Sequence, residues 1–398
     1  MMPSVLYISY DGIMEPLGQS QVVRYMERLS PEYSIHLISF EKSDDLLDVF
    51  RLEALKESLK RHGIKWTRLT YHKRPAVFAT LLDILNGLTV AGWILFRHKI
   101  KIIHARSYVP SLIAVLLKKI TNVSFIFDMR GFWADERVDG DIWLANSNIF
   151  RITKWLEKQF FINADYVVSL TNAAVDEIRT FPYLVNRMPK IQVITTCTDL
   201  KLFKPLSEVT SNARSFTLGY VGSVGVWYLF DEALRCFIEI KKTIPEAKLH
   251  IFNKGDHDYI FRHIKKLGID TKSVLVESGD HTDVVNAMQL MDAGVFIIKP
   301  VYSKLASAPT KLGEFLGCGV PCLCNTNVGD MAQIVEKEGV GVALKGFSEE
   351  EINNSVSRFL TLIKEPDIKR DCRNAALKHF SLDDGVKLYN EIYQSLLN

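Results

Sequence analysis

The feature that most restricts the fold is a regular alternation of short β-branched runs with amphipathic helical stretches, repeated along the whole chain. Such alternation predicts parallel strands covered on both faces by helices, the doubly wound α/β class. Predicted strands are Val5–Ser9, Ser34–Phe40, Lys65–Tyr71, Ile102–Ala105, Ser124–Asp128, Tyr166–Leu170 and Ile191–Thr195, and then Phe216–Val221, Lys248–Phe252, Ser273–Val276, Gly294–Ile298 and Pro321–Cys324. Helical stretches such as Gln21–Leu29, Leu46–Lys60 and Phe150–Phe161 fall between them.

The length of the chain predicts two domains, because 398 residues exceed what one hydrophobic core usually covers. A polar stretch, Pro205–Arg214, separates the two strand series, and we interpret it as a hinge between domains 1–205 and 206–378. Doubly wound sheets bind ligands at the carboxyl ends of their strands. We therefore expect two Rossmann-like domains facing each other across a cleft that holds the ligand.

Basic residues are concentrated in the first half of the chain. Between Glu57 and Asp128 the only acidic residue is Asp83, and the same stretch contains twelve lysines and arginines. This block predicts an anionic partner. The apolar stretch Ala76–Phe96 approaches the length of a membrane span, but Asp83, Asn86 and two glycines favour a buried helix.

Two features of the sequence favour a cytosolic location. No secretory signal opens the sequence. The six cysteines are scattered, and we expect buried free thiols in a reducing compartment.

The loop after the first strand, residues 10–20, is the first candidate ligand site. Gly12 and Gly18 allow close approach of the backbone to a ligand, and Ser20 is predicted to cap the next helix, whose amino terminus favours a phosphate. A plain strand-to-helix turn is the alternative.

A glycine-rich loop opens the second domain, at residues 219–228. It contains Gly222 and Ser223 but does not match the dinucleotide fingerprint, and the next strand ends at Lys254 rather than at an acid. The pattern therefore disfavours NAD and suits a phosphate, although Lys254 is equally compatible with a solvated surface position.

The third candidate is the segment 307–321. Ser307 is predicted to cap a helix with Pro309 in its first turn, so that free backbone N–H groups gather near Thr310 and Lys311 and bind an anion. Glu314 lies one turn later and can accept hydrogen bonds from a ribose. The alternative is a surface ion pair between Glu314 and Lys311.

These segments resemble, in order, the retaining glycosyltransferases of family four, which have the GT-B fold. DGIMEPLGQSQV is similar to the start of polysaccharide-assembly members, and the run from Asp128 to Glu136 is similar to a segment of the same subgroup. Thr196–Phe203 resembles the family's N-G-V-D-x-x-x-F segment, and SAPTKLGEFLGCGVP occupies the place of its E-x7-E segment. The closing stretch, 379–398, resembles the helix that returns to the first domain.

One residue departs from the family pattern. Glu314 matches the second glutamate of E-x7-E, but Ala306 replaces the first, which lies near the donor sugar in the family. This departure removes one contact that the family pattern implies with the donor sugar and leaves the nucleotide contacts intact. Asp139-Gly140-Asp141 spells the metal motif of the other glycosyltransferase fold, and we interpret it as a coincidence in a loop.

The resemblance implies transfer of a sugar from a nucleotide-diphosphate sugar to a hydroxyl of a glycan or lipid-linked acceptor in surface polysaccharide assembly, with retention of configuration. The expected donor-binding residues are Gly18, Gly222, Ser223, Lys254, Ser307, Thr310, Lys311 and Glu314. Lys254 and Lys311 would stabilise the leaving diphosphate, and Asp128 with Arg130 would orient or deprotonate the acceptor. Pairing of Asp128 with Arg130 alone is the alternative.

We expect no cofactor, no metal and no nucleic-acid partner. The basic stretch 58–127, with Trp66, Tyr71 and Trp93, predicts contact with an anionic membrane surface on the cytoplasmic side. A sugar-nucleotide 2-epimerase and a catalytically inactive scaffold of the same fold are the competing functions.

Overall fold

The computed structural model describes residues 2–74, 76–206 and 215–398, and it divides into two compact units. Unit 1 comprises Met1–Thr195 with Leu382–Asn398, and unit 2 comprises Thr196–Ser381. Residues 207–214 of the predicted hinge lie outside the described residues.

Unit 1 contains one parallel seven-stranded sheet, in the order β3-β2-β1-β4-β5-β6-β7. The strands are β1 (Ser4–Ser9), β2 (Ser34–Glu41), β3 (Lys65–Thr70), β4 (Ile102–Arg106), β5 (Ser124–Asp128), β6 (Tyr166–Ser169) and β7 (Lys190–Val193). The helices are α1 (Pro16–Gly18), α2 (Arg24–Leu29), α3 (Val49–Arg61), α4 (Ala76–His98), α5 (Tyr108–Lys118), α6 (Trp133–Asp139), α7 (Asn148–Asn163) and α8 (Asn172–Arg179). A π-helical turn (Gln19–Val23) links α1 to α2, and 3₁₀ turns occur at Asp45–Leu47 and Pro182–Leu184.

Unit 2 contains a parallel six-stranded sheet, in the order β10-β9-β8-β11-β12-β13. Its strands are β8 (Thr217–Val221), β9 (Lys248–Phe252), β10 (Val274–Glu277), β11 (Ala293–Val295), β12 (Cys322–Asn325) and β13 (Gly341–Leu344). Its helices are α9 (Phe230–Thr243), α10 (His257–Lys266), α11 (His281–Gln289), α12 (Thr310–Gly317), α13 (Met331–Lys337), α14 (Glu349–Leu362) and α15 (Ile368–Phe380). The 3₁₀ turns are Thr271–Ser273 and Tyr302–Ala306.

The sheet of unit 2 has a hydrophobic core on each face. Val221 and Phe252 belong to one core, whereas Tyr220 and Ile251 belong to the other. Successive side chains of a strand point to opposite faces, so both faces must be covered to bury these runs. All six cysteines are buried free thiols, as expected.

Thr196 to Leu206 pack within unit 2, so the division between the units falls ten residues before the predicted boundary. Leu200 and Phe203 belong to the core of unit 2. The guanidinium of Arg373 donates hydrogen bonds to the carbonyl oxygens of Leu200 (2.7 Å) and Phe203 (2.6 Å). This segment packs closely against α12, because Gly313 and Gly317 have no side chains at the positions that Thr198 and Leu200 contact.

The last helix, α16 (Leu382–Leu397), packs in unit 1. Its Tyr389 hydroxyl donates to Asp128 Oδ2 at 3.1 Å, and the Tyr393 hydroxyl lies 2.7 Å from His104 Nδ1. Buried contacts at the ends of β4 and β5 therefore fix the helix on this unit.

The expectation that the apolar stretch from Ala76 forms a buried helix is wrong in one respect. The helix exists as α4, and Ala79, Asp83, Gly87 and Ala91 on one side are buried. The other side is exposed, because no described element covers it. By length and composition Val77–His98 could cross a membrane, and only 28% of its most apolar window is buried.

Candidate functional site

Topology marks one ligand-binding position in each unit. In unit 2 the chain leaves β8 toward β9 and β10 and then returns to the other side of β8 with β11. The reversal opens a crevice beside the carboxyl ends of β8 and β11. In unit 1 the corresponding reversal lies between β1 and β4.

The loop after β8 is shaped around Gly222. Its φ of +104° is a conformation that side chains rarely adopt. Its N–H donates to the carbonyl of Phe252 (2.8 Å), and its own carbonyl accepts from Asn253 Nδ2 (2.9 Å). The Tyr220 hydroxyl donates to the carbonyl of Ser223 at 2.8 Å. These hydrogen bonds fix Gly222 and Ser223 after β8, and their contact with a ligand stays a prediction.

Lys311 lies directly against this loop. A Cβ placed on Gly222 would be 2.7 Å from Lys311 Cε and 2.9 Å from Lys311 Nζ. The ammonium group lies 3.6 Å from the ring centroid of Tyr228 and 5.5 Å from that of Tyr220. Glycine at position 222 thus leaves room for the lysine, and the two aromatic faces stabilise its charge.

The ammonium group of Lys311 is buried without a hydrogen-bonding partner. The residue is 7% exposed, and within the part of the chain that the structure describes its Nζ makes no hydrogen bond. An ammonium has three donors, and aromatic faces accept none of them in the geometry of a hydrogen bond. A buried polar group without a partner requires an explanation, and an anionic ligand supplies one. The alternative, a surface ion pair with Glu314, is not formed among the described residues.

The start of α12 differs from the prediction. Pro309 occupies the N-cap position, no side chain caps the helix, and Thr310 is its first residue. Ser307 does not cap α12, because it closes the preceding 3₁₀ turn: its N–H donates to the carbonyl of Lys304 at 3.1 Å. The side chain of Ala306, which stands where the family has its first glutamate, is fully buried in that turn.

Glu314 lies one turn after Thr310 and is partly buried. Burial raises the pKa of its carboxyl group to about 7, although Lys311 acts in the opposite direction. No group of the described chain donates a hydrogen bond to this carboxylate. The carboxylate is therefore available as an acceptor for hydroxyl groups.

Lys254 follows β9, the strand beside β8, and is exposed. Asn253 shapes its turn by accepting from the backbone N–H groups of Gly255 (3.0 Å) and Asp256 (2.7 Å). Lys254 lies at the same edge of the sheet as Gly222, and its exposure is compatible with a ligand contact or with a solvated surface position.

Aromatic residues after the glycine turn complete the surroundings and were not among the predicted site residues. Trp227 lies under the ammonium group of Lys304, with 3.8 Å between Nζ and the ring centroid. Tyr228 holds its place by donating its N–H to the carbonyl of Gly225 (3.0 Å). Val226 between them has a φ of +47° and is 74% exposed, a strained conformation for a β-branched residue. The sequence Trp-Tyr directly after a glycine-rich strand end is the signal from which Trp227 and Tyr228 could have been predicted.

In unit 1, Asp128 is buried in a polar network. It is 1% exposed and accepts from the Tyr389 hydroxyl, with His104 Nε2 at 3.4 Å and Arg130 Nη1 at 3.7 Å. Burial alone would raise the pKa of Asp128, but Arg130, His104 and Arg106 lower it to about 2. This geometry favours the alternative in which Asp128 pairs with Arg130.

Arg130 itself has a φ of +59°, and its Nη2 lies 3.5 Å from Gln21 Oε1. Arg106, at the end of the neighbouring strand β4, was not predicted. It is 3% exposed, and its Nε lies 3.5 Å from Asp11 Oδ2. The carboxyl ends of β4 and β5 thus carry the buried Arg106 and the largely buried Arg130, each beside one carboxylate.

Gly18 is explained by packing within its own loop. It lies in α1, and a Cβ there would collide with the backbone of Gly12 and Ile13. The buried carboxylate of Glu41 fills the loop from inside and accepts from the N–H of Ile13 at 2.8 Å. The predicted cap by Ser20 is wrong: Ser20 lies within the π-helical turn, and its hydroxyl is 3.4 Å from the carbonyl of Leu17.

Metal-binding residue types are not gathered anywhere in the described ranges: no group of three or more His, Cys, Asp or Glu lies in a suitable arrangement. Asp139 ends α6, and Asp141 lies in the following turn with a φ of +57°.

Comparison with known proteins adds two findings. Residues 207–379, most of unit 2, match the family model described as Glycosyl transferases group 1. No curated protein sequence matches the chain.

Solved structures match over the full length. A sucrose-phosphate synthase from Thermosynechococcus elongatus has a TM-score of 0.74 at 14% identity, over 99% of both chains. A glycosyltransferase from Rickettsia africae has a TM-score of 0.73 at 15% identity, over 100% of this chain and 99% of that one. The Anabaena protein HepE, in complex with UDP and glucose, has a TM-score of 0.69 at 14% identity, over 98% and 99%. The fold is GT-B. The prediction of two Rossmann-like domains is therefore confirmed.

Proposed function

We propose that this protein is a glycosyltransferase that moves a sugar from a nucleotide-diphosphate sugar to an acceptor hydroxyl. The observation that carries the proposal is the buried, unpaired ammonium group of Lys311 beside Gly222, at the crevice of unit 2. The match to group 1 glycosyltransferases covers the same unit. A diphosphate is the anion that this arrangement suits best, because a fixed cation lies beside a glycine whose backbone a ligand can approach closely.

Each residue of the crevice then has a role toward the donor. Lys311 and the amino terminus of α12 at Thr310 bind the diphosphate, and Gly222 and Ser223 allow its close approach. Glu314 accepts hydrogen bonds from the ribose hydroxyls. We propose a uridine nucleotide as the first donor to test, since HepE, a neighbour in fold, was solved with UDP.

The reaction requires stabilisation of the leaving group. As the bond between the sugar and the diphosphate breaks, negative charge grows on the diphosphate, and a cation fixed beforehand lowers the barrier. Lys311 is fixed by its aromatic neighbours, and Lys254 at the same edge supplies a second, exposed cation. We further propose retention of configuration, with Arg130 of unit 1 orienting the acceptor and Asp128 positioning Arg130 through their ion pair.

The acceptor is proposed to be a glycan or a lipid-linked sugar in surface polysaccharide assembly, reached from the cytoplasmic face of a membrane. Exposed cations of the basic stretch support this proposal, because they would be attracted to an anionic bilayer. They are Lys60, Arg61, Lys65, Arg68, Lys73, Arg74, Arg97, Lys99, Lys101 and Lys119.

A panel of sugar nucleotides, incubated with and without an acceptor, tests the proposal. A transferase hydrolyses one donor slowly and consumes it faster when the acceptor is present. A 2-epimerase converts the donor without releasing the nucleotide, and an inactive scaffold does neither. Either of the last two results would refute the proposed activity.

A further inference from the structure

The outer face of α4 is an exposed apolar surface that the proposed reaction does not use. It consists of seven residues that are each between 51% and 69% exposed: Val77, Phe78, Leu81, Leu82, Leu85, Trp93 and Phe96. A helix on the surface of a soluble protein usually presents polar residues to water. Asn86 and Thr89 are also exposed on this side, but a face that carries this many large apolar residues indicates a binding surface.

The opposite side of α4 fixes this orientation. Asp83 is fully buried and accepts from the Tyr10 hydroxyl (2.8 Å), the N–H of His72 (3.2 Å) and His72 Nδ1 (2.5 Å). Gly87 allows close packing, since a Cβ there would be 2.7 Å from Ile113 Cδ1. The outer face therefore cannot turn inward without breaking this buried network.

Charge identifies the partner. The only acidic residue of α4 is Asp83, which is buried, whereas exposed cations flank both ends of the helix. Lys73 and Arg74 precede the helix, and Arg97, Lys99 and Lys101 lie at or beyond its end. Pairing of two copies through this face would bring cations against cations in either direction, which is unfavourable. An anionic bilayer instead offers acyl chains to the apolar face and phosphates to both ends.

We propose that α4 lies in the plane of an anionic membrane with its outer face inserted among the acyl chains. This inference rests on the membrane contact in the proposed function and goes beyond a purely electrostatic surface contact. The helix does not span the bilayer, because Asp83 and Gly87 remain packed on the sheet. Trp93 lies near the carboxyl end, where an indole suits the interface.

The position of α4 connects the membrane with the proposed site. The helix begins shortly after β3 ends, so its first turn lies near the carboxyl edge of the sheet. The loops after β1 and β4 lie at that same edge. A hydroxyl carried by a membrane lipid would therefore approach the edge of unit 1 at which Arg106 and Arg130 lie.

Co-sedimentation with vesicles tests the insertion. The outer-face variant replaces Leu81, Leu85 and Phe96 by Ser, and the charge variant replaces Arg68, Lys73 and Arg74 by Glu. A control variant replaces Ile142, Leu144 and Ile152 of unit 1, which are 57%, 75% and 58% exposed, by Ser. Vesicles of phosphatidylcholine alone are compared with vesicles that also contain phosphatidylglycerol, at about 0.1 M and about 0.5 M NaCl.

The wild type and the control variant should bind the anionic vesicles and retain measurable binding at the higher salt, because inserted apolar groups are not screened. The outer-face variant should bind at least about tenfold more weakly at both salt concentrations. The charge variant should lose binding chiefly at low salt. A thermal unfolding curve for each variant establishes that it is folded.

Two results would overturn the inference. Equal binding of the outer-face variant and the wild type would mean that surface charge alone accounts for the contact with the vesicles. Dimers in sedimentation velocity that the outer-face variant abolishes, without any binding of wild type to vesicles, would assign the face to a second copy. Titration of UDP-glucose in the absence of vesicles tests the donor site separately, so its failure would refute the proposed function and leave the membrane result standing.

Discussion

Replacing Glu314 by Gln should weaken donor binding and stabilise the folded protein, because the carboxylate is proposed to bind the donor and its burial destabilises the fold. Burial raises the pKa of this carboxyl group from its ordinary value of 4.5 to about 7. The group therefore ionises at a lower pH in the unfolded chain than in the folded protein. Above about pH 7 the folded protein carries a carboxylate that is poorly solvated. The substitution removes this charge and retains the shape of the side chain.

The magnitude follows from the shift. Each pKa unit corresponds to about 1.4 kcal/mol, so the ionised form destabilises unit 2 by up to about 3 kcal/mol, and by less because the group is partly exposed to water. Below about pH 4.5 both states are protonated and the difference vanishes. At about pH 8 the Gln variant should therefore melt a few degrees higher than the wild type, and at about pH 4.5 the two should melt together.

Donor affinity of the Gln variant should fall, whereas its melting temperature should rise. Loss of a charge-assisted hydrogen bond weakens binding by about tenfold to a hundredfold at about pH 8. Between about pH 8 and about pH 6 the wild type should lose about tenfold in affinity as Glu314 becomes protonated, and the Gln variant should not. Calorimetric titration with UDP-glucose, whose diphosphate does not titrate in this range, measures both. A variant that binds as tightly as the wild type, with the same dependence on pH, would refute the role of Glu314.

Other predictions concern the remaining site residues. Lys311→Ala and Lys254→Ala should lower kcat more than they raise KM, since the diphosphate charge grows toward the transition state; steady-state kinetics that move only KM would make both lysines ground-state binders. Asp128→Asn should slow transfer, leave donor affinity unchanged and destabilise unit 1 by about 2 kcal/mol at neutral pH, because the pKa of Asp128 is lowered to about 2 from 3.8. That stability should be lost in the wild type as the pH falls from about 4 through about 2, and normal transfer by a destabilised variant would limit Asp128 to a structural role. EDTA should leave the transfer rate unchanged, and strict dependence on a divalent ion would contradict a site that relies on lysines.

Local sequence patterns predicted most of the fold. Short apolar strands between amphipathic helices are local signals, and each of the twelve predicted strands is observed with ends shifted by a few residues. The missed strand, Gly341–Leu344, is short and begins with glycine. The start of α12 was misplaced because a proline fits both the cap and the first turn, and the preceding 3₁₀ turn decides between them.

Features that depend on distant residues could not be predicted in the same way. Tyr389 meets Asp128 across 261 positions, and nothing near Asp128 in the sequence indicates this contact. Apolar residues occur on every side of α4 in the sequence, so only the packed structure shows which side is covered. Lys311 was predicted from its position near a helix start, but its burial beside two tyrosines comes from β8 and the loop that follows it.

Titration of UDP-glucose into the wild type, Lys311→Met and Lys337→Met tests the donor site most directly. Lys337 is an exposed lysine on α13 of the same unit, so its variant controls for loss of one positive charge. The Met variant of Lys311 retains the apolar length of the side chain and removes its charge. We expect Lys337→Met to bind as the wild type does and Lys311→Met to bind at least about tenfold more weakly. Equal affinity for all three proteins would contradict the assignment of the Lys311 crevice as the donor site.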